Sequence, residues 1–333
     1  MSTRQKLLIV LFAVIWSILG YKSFAMAQRP FPARPVTLWV GFPAGGVTDI
    51  IMRALADSTE KSLGQKIVVI NKPGASSTIC TSLLAKEKPD GYTIAGILDM
   101  TINVYPHLTD LDYDTFRDLS YIIRIASFRN VVAVKADSPF KKWEDVVEWA
   151  KKNPGQLIVG APGISGTPFL ATAKIAKKEG FTFKYVPFGG DAPLVNALLG
   201  GHLMVAASSS VVFKSHVEAK TARVLLVFER MGGLDYAPGV PTFEEMHYDF
   251  DTPINAIILA PKGIPDPIRE ILERAFLEGM KQEKFIKIAK DQDLNITEPL
   301  TGKAFLDYLK KYYLIYEEMT KEAGTYKAEK RKK

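Results

Sequence analysis

A two-lobed α/β fold is predicted for this 333-residue chain by three features of its sequence. A strand-then-helix rhythm begins at residue 36, and the same rhythm restarts after residue 143. Two long apolar strand-like stretches, 121–136 and 254–260, read as crossovers between the halves. Short β-to-α connections with continuous apolar strands imply parallel sheets covered on both faces. Two such halves joined by two crossovers describe hinged lobes with a cleft between them.

The first half reads as a strand over 36–42 (VTLWVGF), a helix over 47–63 stopped by Gly64, a strand over 66–70, a helix over 76–88 and a strand over 92–98. The second half reads as a helix over 143–152 ended by Asn153-Pro154-Gly155, then a strand over 157–161. A helix over 167–179 ended by Gly180 follows, then a strand over 183–187 and a helix over 192–199 before Gly200-Gly201. Strands are expected at 203–207 and 223–228, and terminal helices at 266–282 and 301–323. The last helix carries Tyr308, Tyr312, Tyr313 and Tyr316, which read as a packing face.

The N-terminus has the layout of an export signal. Arg4 and Lys6 precede the apolar run 7–20, and Ala25-Met26-Ala27 gives the small-x-small cleavage pattern. Tyr21 and Lys22 interrupt the run, so a cleavable signal over 1–27 is expected in preference to a retained anchor, with the mature chain starting near Gln28. No cysteine lies near that point to carry a lipid. Removing Arg4, Lys6 and Lys22 lowers the formal charge from +7 to +4, and much of the remainder sits in the tail KAEKRKK. Nucleic-acid binding is rejected, because no basic stripe with interleaved aromatics occurs elsewhere. The single cysteine, Cys80, cannot form an internal disulfide and reads as a small packed residue.

Ligands of open α/β sheets sit beyond the carboxyl ends of the strands, where helix N-termini point. Three turns occupy such places. The first, GFPAGGVTD over 41–49, lets backbone N–H groups at Gly45 and Gly46 face an anion, with Thr48 or Asp49 available as a cap. The second, APGISGTP over 161–168, repeats this logic in the other half with Ser165, Gly166, Thr167 and Pro168. The third, FGGDAP over 188–193, offers Gly189, Gly190 and Asp191; residues 208–210 and 99–103 are also within reach of the cleft. Neither nucleotide pattern, GxxxxGK[ST] or GxGxxG, is present.

A hydrolase is a poor fit. Gly163-Ile164-Ser165-Gly166 stands at a strand-to-helix turn, but Thr167 occupies the position where a nucleophile elbow needs glycine. His107, His202, His216 and His247 lie outside the post-strand turns, and neither HExxH nor a Cys/His cluster occurs. No catalytic residue, metal or cofactor is expected.

The blocks FPARPVTLWVGFPAGGVTDIIMRALAD, LGQKIVVINKPGA and KPDGYTI, with FRDLSYIIRIA, GTPFLA, VPFGGDAPLVNALLGGHL, PGVPTFEEM and APKGIPDPI, carry a likeness. In these blocks the chain resembles the substrate-binding component of tripartite tricarboxylate transporters, the Bug family, over essentially the mature sequence. The resemblance implies a type II periplasmic-binding-protein fold: lobe 1 from 28–128 and 254–333, lobe 2 from 129–253, and a ligand cleft between. It implies an extracytoplasmic protein, expected to be a monomer, that captures a di- or tricarboxylate, an acidic amino acid or an aromatic acid. Its partners would be one large and one small membrane subunit of the transporter. Presentation of ligand to a signalling receptor is the alternative, which sequence does not separate from transport. Carried over by position, the ligand contacts are Phe42, Ala44, Gly45, Gly46, Thr48, Asp49, Ser165, Gly166, Thr167 and Pro168, with Gly189, Gly190 and Asp191 secondary. Three departures stand at or beside that pocket: Phe169 where the family often has histidine, SSTICT after the PGA motif, and HLMVAASSS after Gly200-Gly201.

Overall fold

The computed structural model describes residues 31–163, 166–228, 233–296 and 298–327. The expected signal segment and Ser165 lie outside them. In chain order the first part runs β1 (Val36–Val40), α1 (Val47–Leu63), β2 (Ile67–Asn71), α2 (Thr78–Leu84), β3 (Thr93–Leu98), the short α3 (Met100–Asn103) and α4 (Tyr105–Leu108), and β4 (Leu119–Phe128). Next come β5 (Asn130–Lys135), α5 (Trp143–Lys152), β6 (Leu157–Pro162), α6 (Thr167–Glu179), β7 (Phe183–Phe188), α7 (Asp191–Leu199), β8 (Val205–Ser209), α8 (Val211–Glu218) and β9 (Ala222–Val227). The chain closes with β10 (Ile254–Pro261), α9 (Asp266–Met280), α10 (Glu283–Asp291), β11 (Leu294–Asn295), β12 (Leu300–Thr301) and α11 (Gly302–Glu322).

Two sheets result. The seven-stranded sheet has the order β11-β4-β10-β3-β1-β2, with β12 also on β4. Within it β1 runs parallel to β2 and β3, while β10 runs antiparallel to β3 and β4. The five-stranded sheet has the order β7-β6-β8-β5-β9, with β6 parallel to both neighbours and β5 antiparallel to both of its own. Helices α1 and α6 stop where glycine permits a left-handed residue: Gly64 (φ 75°) and Gly180 (φ 77°) donate to Glu60 O and Ala176 O.

Three expected elements differ. The stretch 121–136 is two strands rather than one: β4 ends at Phe128 in the first sheet, and β5 begins at Asn130 in the second. Both are buried on both faces, so the apolar pattern runs through the change of sheet unbroken. The expected second crossover, 254–260, is β10, which stays inside the first sheet; the return crossing lies before it, between Val227 and Ile254. The helix expected over 76–88 is shorter, because Ala75, Ser76 and Ser77 take positive φ and α2 begins only at Thr78. That bend lets Ser77 Oγ donate to Gly41 O at 3.1 Å, and a Cβ on Gly41 would lie 2.4 Å from the same hydroxyl. Cys80 is buried in α2 and its thiol is pushed up to about 12 by that burial.

Apolar burial on both sheets supplies the drive to fold, at about 1.5–3 kcal/mol for each fully buried Leu, Ile, Phe or Met. Ile51, Met52 and Leu55 of α1 press on Leu38 and Val40 of β1. Helix α11 belongs to both cores. Phe305 and Leu309 pack with Tyr121 and Leu259 of the first sheet, whereas Tyr312, Tyr316 and Met319 pack with Val132, Trp143 and Leu170 of the second. Where the sheets meet, Asp99 is fully enclosed: Asn255 N donates to its Oδ1 at 2.8 Å and Asn255 Nδ2 to its Oδ2. Burial pushes this carboxyl up to about 7, against the Asn255 hydrogen bonds and the Arg124 charge, which favour the ionised form.

Two outcomes follow. Gly279 lets α9 approach α1, since a Cβ there would lie 2.2 Å from Thr59 Oγ1 and 3.1 Å from Thr59 Cα. Gly279→Val should therefore cost about 1–3 kcal/mol by overpacking, read in urea unfolding. Asp99 gives a pH signature. The unfolded chain releases this proton near 3.8 and the folded chain holds it to about 7, so the penalty is absent at low pH, grows between these values and is constant above. Thermal unfolding should show Asp99→Asn gaining on the native chain as pH rises from 4 to 7; a pH-independent difference would contradict the assignment.

Candidate functional site

The first turn leaves β1 at Val40 and enters α1 through Gly46. Gly45 adopts φ 81°, a left-handed conformation that costs a side-chain-bearing residue energy. Asp49 holds the turn from behind: its Oδ2 accepts from Gly45 N at 2.9 Å, and its Oδ1 accepts from Arg53 Nε at 2.9 Å and Asn71 Nδ2 at 2.7 Å. Burial raises this carboxyl's pKa, but the hydrogen bonds from Arg53, Gly45 and Asn71 together with the Arg53 charge outweigh it, and the net shift is downward. No side chain caps α1, so the amides of its first turn have no intrahelical or capping partner.

The second turn repeats the arrangement. Gly163 (φ 75°) donates to Phe188 O at 2.9 Å, and Gly166 leads into α6, again with no side-chain cap. A Cβ on Gly166 would stand 3.1 Å from Pro162 O, which favours glycine there. Thr167, the first residue of α6, is wholly buried. Its hydroxyl oxygen has no hydrogen-bond partner among the described residues. An unpaired buried hydroxyl costs about 1–3 kcal/mol, and of the buried side-chain atoms in this state among the described residues Thr167 Oγ1 is the one whose residue lines the cavity described next.

These two helix starts meet across one cavity of about 320 Å³, within the usual range for small-molecule sites. Phe42, Val47 and Thr48 line it from the first turn, and Pro162, Gly166, Thr167 and Pro168 from the second. Asp191 enters from the start of α7 and accepts a hydrogen bond from Ser208 Oγ. Leu98, Met100, Ser209, Val211 and Val212 complete the walls, and Phe128, Asn130 and Ile254 close the back where the chain changes sheets. Among the described residues no lysine, arginine or histidine lines it.

Six of the sequence-derived contacts thus share this lining: Phe42, Thr48, Gly166, Thr167, Pro168 and Asp191. Ala44, Gly45, Gly46, Asp49, Gly189 and Gly190 stand outside it. Asp49 directs its carboxylate into the turn itself, Gly45 is held at a positive φ that favours glycine, and a Cβ on Gly189 or Gly190 would meet only open space. Of the departures noted in the sequence, Ser208 and Ser209 reach the cavity, whereas Phe169 packs on Tyr185 at a ring separation of 4.5 Å. The helix α8, which brings Val211 and Val212, was hidden because a β-branched pair is a weak helix signal.

A cleft of about 440 Å³ lies elsewhere, lined by Lys262, Arg269, Lys303 and Lys310. Its cations are largely engaged: Arg269 with Asp266 and Glu273, Lys303 with Asp307, and Lys262 with Phe116 O. The smaller cavity, with its unpaired threonine and uncapped helix starts, is the better site. Among the described residues no group of three or more His, Cys, Asp or Glu is placed to hold a metal, and no helix is long and apolar enough to cross a membrane.

Comparison with known proteins agrees with this architecture. The model of the tripartite tricarboxylate transporter family receptor, TctC, matches residues 51–319. The "UPF0065 protein in gbd 5'region" of Cupriavidus necator is 36% identical over 262 residues, covering 78% of this chain and 79% of that protein. A crystal structure of a TctC solute binding protein from Polaromonas superposes with a TM-score of 0.76 at 28% identity, covering 87% of this chain and 99% of that one. The periplasmic binding protein BugD gives a TM-score of 0.73 at 26% identity over 89% and 99% of the two chains. The two-sheet α/β architecture is that of the type II periplasmic-binding-protein fold. The chain belongs to the TctC family of tripartite tricarboxylate transporter receptors, which are periplasmic solute-binding proteins and not enzymes.

Proposed function

We propose that this protein captures a small carboxylate between lobe 1 (28–128 and 254–333) and lobe 2 (129–253) and delivers it to the large and small membrane subunits of a tripartite transporter. The carboxylate rests on the first-turn amides of α1 and α6, with the hydroxyls of Thr48 and Thr167 as further donors. Gly45, Gly46 and Asp49 act by shaping the first turn, and Gly189 and Gly190 by setting the third. The protein acts as a monomer after export, freed of residues 1–27.

One observation carries this reading. The buried Thr167 Oγ1, unpaired among the described residues, belongs to an uncapped helix start on a cavity whose described lining holds no cation. Helix N-termini carry about half a positive charge, and their free N–H groups suit a carboxylate oxygen. An anion placed there satisfies the hydroxyl and both helix ends together.

The test is Thr167→Val, which keeps the side chain's shape and removes the donor. A hydrogen bond to a charged group is worth about 1.5–3 kcal/mol, so affinity for the carboxylate should fall roughly 10- to 100-fold. The ligand-free protein should be as stable as the native chain or slightly more so, because an unsatisfied group is gone. Calorimetric titration with the carboxylate that gives the largest thermal shift reads the first, and unfolding without ligand the second. Undiminished affinity would contradict the reading.

A further inference from the structure

We propose that Asp191 is a specificity-determining residue that makes this cavity select carboxylates bearing an ammonium group, that is amino acids, over the same skeletons without nitrogen. The inference rests on the proposed function, in which the cavity holds a carboxylate. Among the described residues the lining contains one ionisable side chain, and it is an acid. A site built only to hold anions has no use for it, since a second carboxylate in a confined, largely apolar space repels the first.

The placement of the acid suits a different partner. Asp191 begins α7 beside Ser208, and the strand before it is tied to the second turn by the Gly163 N to Phe188 O hydrogen bond. Ser208 Oγ donates to Oδ1, which fixes the side chain. Among the described residues no lysine, arginine or histidine forms an ion pair with it. The lining therefore holds two chemically distinct kinds of polar group. One is positive in character: the uncapped starts of α1 and α6 with the unpaired Thr167 hydroxyl. The other is Asp191. Val47, Leu98, Met100, Phe128, Val212 and Ile254 share the lining and accept a carbon skeleton. A zwitterion matches all three features, with its carboxylate on the helix starts, its ammonium donating to Asp191 and its side chain against the apolar wall. A pure polycarboxylate matches only the first.

The experiment uses matched pairs: aspartate and succinate, glutamate and glutarate, leucine and 4-methylpentanoate, phenylalanine and 3-phenylpropanoate. Each is titrated calorimetrically into the native protein and into Asp191→Asn, which keeps the Ser208 contact and removes the charge. Asp191→Ser guards against a local effect of the amide, and unfolding curves verify that both variants fold. In whichever pair binds, the amino acid should be held at least about tenfold tighter by the native protein, and both variants should bring the two members to within about threefold. Equal binding of the pair by the native protein, or a preference that survives both variants, overturns the role of Asp191 while leaving the carboxylate reading standing. Malate bound as tightly as aspartate also overturns it, because a hydroxyl donor would then suffice. If no carboxylate of either kind binds, the underlying reading itself fails.

Discussion

The carboxylate of Asp49 is the contact on which the first half of the site depends. It takes the Gly45 amide, the Arg53 guanidinium and the Asn71 amide at once, and so ties the turn after β1 to β2 and to the helix that follows. Asn71 also donates to Phe42 O at 2.9 Å, which sets the other end of the turn. With the turn fixed from behind, nothing is needed in front: Gly46 supplies no cap, and the first amides of α1 face the cavity wall formed by Val47 and Thr48. An acid in the first turn of a helix is favourable in itself. Here its position on the side away from the cavity leaves the lining free of negative charge at that end.

The two sheets are coupled by more than the crossing strands. Arg129, between β4 and β5, pairs with Asp293 at 2.9 Å, and Asp293 also accepts from Ser210 at the end of β8. One acid just ahead of β11 thus touches both the crossing and the second sheet. Helix α11 adds apolar contact with both cores, and Glu322 near its end meets Lys174 and Lys177 of α6. Such half-exposed ion pairs are worth about 0–1 kcal/mol each. The burial of Tyr312, Tyr316 and Met319 against the second core contributes more than these pairs do. Any opening of the cleft has to bend around this helix or carry it with one sheet, and α6, which bears Thr167, is the element it grips.

How much of this was legible depends on the kind of signal. Helices α1, α5 and α6 were readable to the residue, because Gly64, Asn153 and Gly180 end them by backbone chemistry that composition displays. The change of sheet at Arg129 was not, because strands buried on both faces carry one unbroken apolar pattern whatever sheet they join. In the site, the turns announced themselves through glycines and hydroxyls after strands. The role of Asp49 was ambiguous, since an acid at a helix start reads the same whether it faces a ligand or its own turn. Phe128, Asn130 and Ile254 were invisible for a geometric reason. Their place in the lining depends on where two distant segments cross, and no local pattern encodes that.

On the proposed function, a cavity that takes an anion with no lysine or arginine in its described lining follows from what an empty site must tolerate. A cation enclosed between the closed lobes with no ligand would be a buried unpaired charge, whose cost runs to several kcal/mol or more. A helix start and one threonine hydroxyl left unpaired cost far less, about 1–3 kcal/mol for the hydroxyl. The amides are also already in place, since the turn is held by Asp49 and the helix by its own ladder, so little ordering entropy is spent when a ligand arrives. That difference works in both directions. Binding recovers the small cost of the unpaired groups and so favours the closed state, while release into a partner does not strand a bare charge. Asp191 fits the same logic from the other side: Ser208 supports its carboxylate in the absence of ligand, so the acid is tolerated when the cavity is empty and is available to a donor when it is filled.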